Sequence, residues 1–131
     1  MIVEKDFLYK ELSYKIVGCF YDVHNDLGPA HKEQIYHEAL KIIFKEKNLT
    51  CVSKPRLPIT FHQQSIGVYE PDFLIEDKII VELKSIQLIP KVFEKQLYYY
   101  IKNTKYKVGY LVNFGNDKLD LRRRVFELAR R

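Results

Sequence analysis

The chain has 131 residues, of which 47% are hydrophobic and 30% charged, and its formal net charge is +5; this suits a single soluble globular domain over 1–131. No apolar run approaches the ~20 residues of a membrane-spanning helix, and Glu4 and Asp6 near the start do not fit a signal peptide, so cytoplasmic residence is expected. The positive charge favours a polyanionic partner, because each phosphate neutralised adds salt-sensitive affinity.

Leu12, Ile16, Cys19, Val23 and Leu27 recur at spacings of three and four, which predicts an amphipathic helix stopped by Gly28-Pro29. A second helix carries Ile35, Ala39, Leu40 and Ile43 on its inner stripe and ends near Asn48. The period then shortens to two. Leu57, Ile59 and Phe61 alternate with their neighbours as in a half-buried strand, with Pro55 and Pro58 favouring a sheet edge, and 62–65 reads as a turn. Two apolar runs, 68–75 and 79–83, flank Glu76-Asp77-Lys78, the pattern of a hairpin with a short loop.

Pro90 suits the first turn of a third helix, along which Val92, Phe93, Gln96, Leu97, Tyr99 and Tyr100 follow helical spacing to about Asn103. A further apolar strand spans 108–114 and is closed by Gly115-Asn116-Asp117. The remainder, 119–131, is compatible with a strand followed by a helix. The order predicts an α/β fold with a mixed β-sheet flanked by helices, the helix at 90–103 crossing over to a parallel strand. Cys19 and Cys51 have no paired-ligand spacing and read as free buried thiols.

The hairpin carries the chemistry. A loop centred on Asp77 sets Ile75 opposite Ile79, Leu74 opposite Ile80, Phe73 opposite Val81, and Asp72 opposite Glu82. Facing carboxylates roughly 4.5–5.5 Å apart repel unless a cation lies between them. Glu82 and Lys84 share one face of their strand, so Asp72, Glu82 and Lys84 project together. Paired hard oxygen ligands suit Mg²⁺ or Mn²⁺, which acidifies water and shields phosphate charge; Lys84 would orient the water or hold developing negative charge. The hairpin alone leaves open a surface salt-bridge cluster in which Lys84 simply neutralises both acids.

Pro71-Asp72 followed by Glu82-Leu83-Lys84 resembles the PD-(D/E)xK nuclease signature. Leu27-Gly28-Pro29, Glu33-Gln34-Ile35-Tyr36, Ala39-Leu40, Tyr69, Gln96-Leu97 with Tyr100, and the run from Val108 to Gly115 are similar to the GxxExxY proteins within that superfamily. The resemblance implies a restriction-endonuclease-like core and a Mg²⁺- or Mn²⁺-dependent nuclease acting on nucleic acid, DNA rather than RNA, with no membrane partner and with room for a homodimer. It implies that Asp72, Glu82, the Leu83 carbonyl and Glu33 surround the metal, that Lys84 positions the water, and that Gln96 and Tyr100 form a Gln-x-x-x-Tyr element on one helix face. The alternative from another class is a catalytically silent nucleic-acid-binding or protein-interaction module on the same fold. The opening glycine of the naming motif is Ala30 here, which matters if that position needs positive φ.

Tyr100, Lys102, Lys105, Arg122 and Arg123 are the candidate nucleic-acid contacts, drawn from two basic clusters that also take in Lys107, Arg124, Arg130 and Arg131. Tyr98, Tyr99 and Tyr100 span most of a helical turn, so they cannot all face the core; they read first as a partly buried aromatic shoulder, with one exposed ring able to stack on a base as the alternative. His24, His31, His37 and His62 show no metal-ligand spacing and are expected to be structural.

Overall fold

The computed structural model describes residues 7–126. Helices α1 (Lys10–Leu27) and α2 (Glu33–Glu46) come first. Strands β1 (Cys51–Ser53), β2 (Leu57–Phe61), β3 (Gln64–Tyr69), β4 (Phe73–Ile75) and β5 (Ile79–Lys84) follow, then helix α3 (Lys91–Lys102) and strands β6 (Val108–Asn113) and β7 (Asp120–Val125). Five strands form one sheet in the order β1-β4-β5-β6-β7, with only β5 and β6 parallel, as the crossover through α3 requires. This is the expected mixed α/β sheet flanked by helices. No helix among the described residues is long and apolar enough to cross a membrane.

The period of two assigns the faces of β5. Ile79, Val81 and Leu83 pack with Phe20, Tyr36 and Leu40 of α1 and α2, while Ile80 packs with Leu97 and Ile101 of α3. Glu82 and Lys84 therefore share the α3 side of the sheet. Gly109 of β6 lets that helix lie close: a Cβ there would stand 2.7 Å from Ile101 Cδ1.

Several expectations change. The run 68–75 is two strands, not one: β3 pairs with β2 in a separate two-stranded ribbon, whereas β4 joins the main sheet. Glu70-Pro71-Asp72 separates them, and buried Pro71 has no N–H to offer a ladder. β2 is accordingly an edge strand, as its prolines favour, but an edge of the ribbon and not of the main sheet. β1 carried no periodic signal because three residues are too short to show one; it is recruited by β4, with Cys51 opposite Ile75 and Ser53 opposite Phe73. The turn at 62–65 tightens to His62-Gln63, both at positive φ (49° and 63°), as two-residue hairpin loops demand. Past Leu119 the chain forms β7; any helix after Phe126, and Arg130 and Arg131, lie outside the described residues. Cys19 is buried, Cys51 only partly so, and both are free.

Ala30 sits at φ 68°, in the turn between α1 and α2, with its N–H pointing to Phe114 O at 3.4 Å. A side chain with a Cβ is strained there. Ala30→Gly is expected to raise stability by about 1 kcal/mol, measured as a higher midpoint in urea; a lower midpoint would mean that the turn tolerates the Cβ without strain.

Candidate active site

The β4–β5 ladder has the expected register: Ile75 opposite Ile79, Leu74 opposite Ile80, Phe73 opposite Val81. Asp72 lies one step beyond it, donating its N–H to Val81 O (3.1 Å). Its Oδ2 accepts from the Leu83 N–H at 2.8 Å. Glu82, half-buried beside it, accepts from the Tyr69 hydroxyl through Oε2 at 2.7 Å. Tyr69 arrives from the ribbon and stacks on Tyr100 of α3, with ring centroids 3.9 Å apart and planes at 6°. Ribbon, sheet and helix thus meet at one carboxylate.

Desolvation pushes the Glu82 carboxyl up to about 7; the adjacent Asp72 adds to the rise, while the Tyr69 hydroxyl and Lys84 pull it back. Burial and the Glu82 charge together raise the Tyr69 phenol well above its ordinary value, so it remains a donor. Lys84 extends along α3, its Nζ 4.8 Å from the Phe93 ring centroid.

From the opposite side α2 supplies Glu33, exposed in its first turn. Partial burial raises its carboxyl pKa, Lys84 lowers it and Asp72 raises it, so all three charges sense one another. His37 is a residue that sequence reasoning missed. Its Nδ1 is 3.6 Å from Asp72 Oδ1, its Nε2 is hydrogen-bonded to Ser53 Oγ (2.8 Å), and its ring stacks on Phe73 at 4.2 Å. Burial lowers its pKa, against an upward pull from Asp72. The available signal was its place four residues after Glu33, on the same helix face.

Two clamps hold this end of the sheet. Tyr36, fully buried and stacked on Phe114 at 4.5 Å, donates to Gly28 O (2.5 Å) and accepts from the His31 N–H (3.1 Å). That fixes where α2 begins, and hence Glu33. Buried Asn113 accepts from the Ile86 and Gly115 N–H groups (3.0 Å each) and donates to Ile86 O (2.9 Å), locking the loop after Lys84. A Cβ at Gly115 would lie 2.1 Å from Ile86 O, so only glycine fits.

The remaining expected residues fall in different places. Gln96 is exposed on α3, on the face that carries Phe93 and Tyr100, and lines a cavity with Tyr99 and Tyr100. Lys102 lies over Tyr99 with Nζ 5.6 Å from its centroid, and Lys105 stands 3.9 Å from Asp77. Arg122 binds Glu94 and Asp120 at 2.8 Å each, and Arg124 also pairs with Glu94. Arg123, on the other face of β7, donates to Tyr110 and to Leu8 O and covers the Phe7 ring. Both arginines on the candidate list are thus engaged by protein partners.

The donor set can be tested against a metal. Among the described residues no three or more His, Cys, Asp and Glu side chains are gathered closely enough to hold a metal ion by themselves. What is present is a carboxylate pair in which burial, with Asp72 adding to it, raises the Glu82 pKa. Val81 O and the Leu83 N–H both point to Asp72, so by ladder alternation the Leu83 carbonyl points to the same side, beyond the end of β4. Two carboxylates and a carbonyl fit a hard divalent ion that keeps several waters, not a closed tetrahedral site.

A sequence model of the PD-(D/E)XK nuclease superfamily matches residues 10–125. Among solved structures, the crystal structure of SSO0001 is similar, with a TM-score of 0.54 and 20% identity over 96% of this chain. The chain spans 61% of that structure's length, and the likeness is one of fold. The comparison with curated proteins found no match.

The raised Glu82 pKa has a consequence for stability. Its carboxyl keeps a proton to about pH 7 when folded but releases it near 4.5 when unfolded. The unfolded chain binds fewer protons between those values, so metal-free stability falls as pH rises through that window and levels off above it. His37, with its lowered pKa, acts in the opposite sense, so comparison with Glu82→Gln isolates the carboxyl. In EDTA, the melting temperature of wild type is expected to drop relative to Glu82→Gln by on the order of 5 °C from about pH 5 to about pH 7.5. Parallel pH profiles for the two proteins would show that Glu82 ionises freely.

Proposed function

Because the chain belongs to the PD-(D/E)XK nuclease superfamily, we propose that it is a Mg²⁺- or Mn²⁺-dependent nuclease that hydrolyses phosphodiester bonds in nucleic acid, with DNA favoured over RNA. The observation that carries this reading is the joint placement of Asp72, Glu82 and Lys84 at the end of the β4–β5 hairpin, beside Glu33.

Asp72, Glu82, the Leu83 carbonyl and Glu33 would hold the metal. Once bound, it supplies an acidified water and screens the phosphate charge. Holding the carboxylates is the chain's own work: the Leu83 N–H and His37 orient Asp72, and Tyr69 orients Glu82. The Lys84 ammonium, steadied against Phe93, positions water for in-line attack on phosphorus and offsets the charge that develops there. Gln96 on α3 helps to place the substrate. No covalent enzyme intermediate is needed, and by analogy with the superfamily the products are a 5′-phosphate and a 3′-hydroxyl.

One observation favours a second reading. Asp72 Oδ2 and Glu82 Oε2 already accept hydrogen bonds from the protein, as they would in a catalytically silent binding module. The two readings separate in a cleavage assay with Mg²⁺, Mn²⁺ or EDTA on single-stranded, double-stranded and branched DNA and on RNA. Asp72→Ala and Lys84→Ala are each expected to lower cleavage by roughly a hundredfold or more, and EDTA to abolish it. A folded wild type that cuts none of these substrates, while Asp72→Asn retains salt-dependent nucleic-acid binding, would establish the module instead.

A further inference from the structure

Beside the carboxylates, a trough runs between the ribbon and the C-terminal half of α3. Its inner part, about 430 Å³, is bounded by Ile59 of β2 and by Gln96, Tyr99 and Tyr100. Its outer part, about 620 Å³, is bounded by Leu57 and Thr60 of β2 and by Lys102 and Lys105. Asn103 lines both parts, which adjoin there. The inner end abuts the candidate active site through one stacked pair, since Tyr100 lies on Tyr69 and Tyr69 donates to Glu82.

The walls are apolar and aromatic, with positive charge along the rim. Lys95, Lys102 and Lys105 line the trough, and among the described residues no acidic side chain does. Asp77 stands 3.9 Å from Lys105 and accepts from the Tyr106 hydroxyl, but the Lys105–Asp77 pair is largely solvent-exposed and holds the lysine only weakly. Tyr99 is 47% exposed, and the Lys102 ammonium lies over its ring.

We infer that this trough receives an unpaired nucleic-acid strand, with a base laid on Tyr99 and backbone phosphates along Lys95, Lys102 and Lys105, and leads that strand to Asp72 and Glu82. In a duplex each base face is covered by its neighbours, so an aromatic platform flanked by lysines suits a strand whose bases are free. An acidic polypeptide would match the lysines but leave the Tyr99 face unused. The inference rests on the nuclease reading for what happens at the end of the trough, though not for binding within it.

Binding is therefore measured in EDTA, where no cleavage is required, by fluorescence anisotropy of a labelled oligothymidylate and of a blunt duplex of equal length. Wild type is expected to prefer the single strand. Tyr99→Ala should weaken that binding roughly tenfold or more and leave the duplex unaffected, while Tyr99→Phe retains it. Lys102→Ala should reduce the salt slope of single-strand binding by about 0.7. An oligouridylate with the same Tyr99 dependence supports an unpaired strand of either sugar. Equal or tighter duplex binding, a Tyr99→Ala variant with unchanged single-strand affinity, or equal competition by polyglutamate would each overturn the inference. Tyr99-dependent binding by a protein that cuts nothing in Mg²⁺ would sink the nuclease reading alone. Single-strand cleavage that needs Asp72 and Lys84 but ignores Tyr99 would sink the trough alone.

Discussion

Where β4 runs out beside β5, the carboxyls of Asp72 and Glu82 are forced together, and much of the surrounding architecture serves to hold that repulsive contact in place. Asp72 is tied to β5 at two points, by its own N–H to Val81 O and by its side chain to the Leu83 N–H. Glu82 is tied to the ribbon by Tyr69. Burial disfavours the ionised form and a neighbouring like charge adds to that, and the upward shift of the Glu82 carboxyl registers both, burial first. The arrangement persists because strong local geometry over-determines it: Glu76 and Asp77 both adopt positive φ (55° and 52°), which sets the hairpin register.

Three layers converge on this contact, each fixed by a different device. On one side, Tyr36 bridges the α1–α2 turn and the Phe114 ring, so the first turn of α2 delivers Glu33 and the second delivers His37. On the other, the missing side chain of Gly109 lets α3 approach, bringing Phe93 over Lys84 and Tyr100 against Tyr69. Asn113 and Gly115 pin the loop that leaves the active strand. Residues whose own rotamers are locked in this way can hold a functional group to fractions of an ångström.

The basic surface divides along similar lines. Arg122 and Arg124 converge on Glu94, and Arg123 reaches across β7 to the segment before α1. These pairs stitch α3 and α1 to the edge of the sheet. The lysines of the trough have looser surroundings, which keeps their charge available to a ligand. Charge counted along the chain does not distinguish these two uses; packing does.

What the sequence by itself determined is the part of the molecule governed by short-range rules. Turn chemistry and a period of two act within a few residues, so the β4–β5 register and the shared face of Glu82 and Lys84 could be worked out from residues 72–84 alone. The helical periods of α1, α2 and α3 followed for the same reason, although the inner stripe of α2 proves to be Tyr36, His37, Leu40 and Phe44, with Ile35 exposed, because a short-range period does not say which flank of the stripe the sheet will cover. The tertiary structure decided everything that joins distant segments: the transfer of β3 from the main sheet to a ribbon, the recruitment of β1, the arrival of His37 at Asp72, and the pairing of Tyr100 with Tyr69 that leaves Tyr99, beside the Lys102 ammonium, as the most exposed of the three rings. None of these has a periodic or turn signature. Each depends on which surfaces remain to be buried once the local elements have formed, and that is a property of the packed molecule.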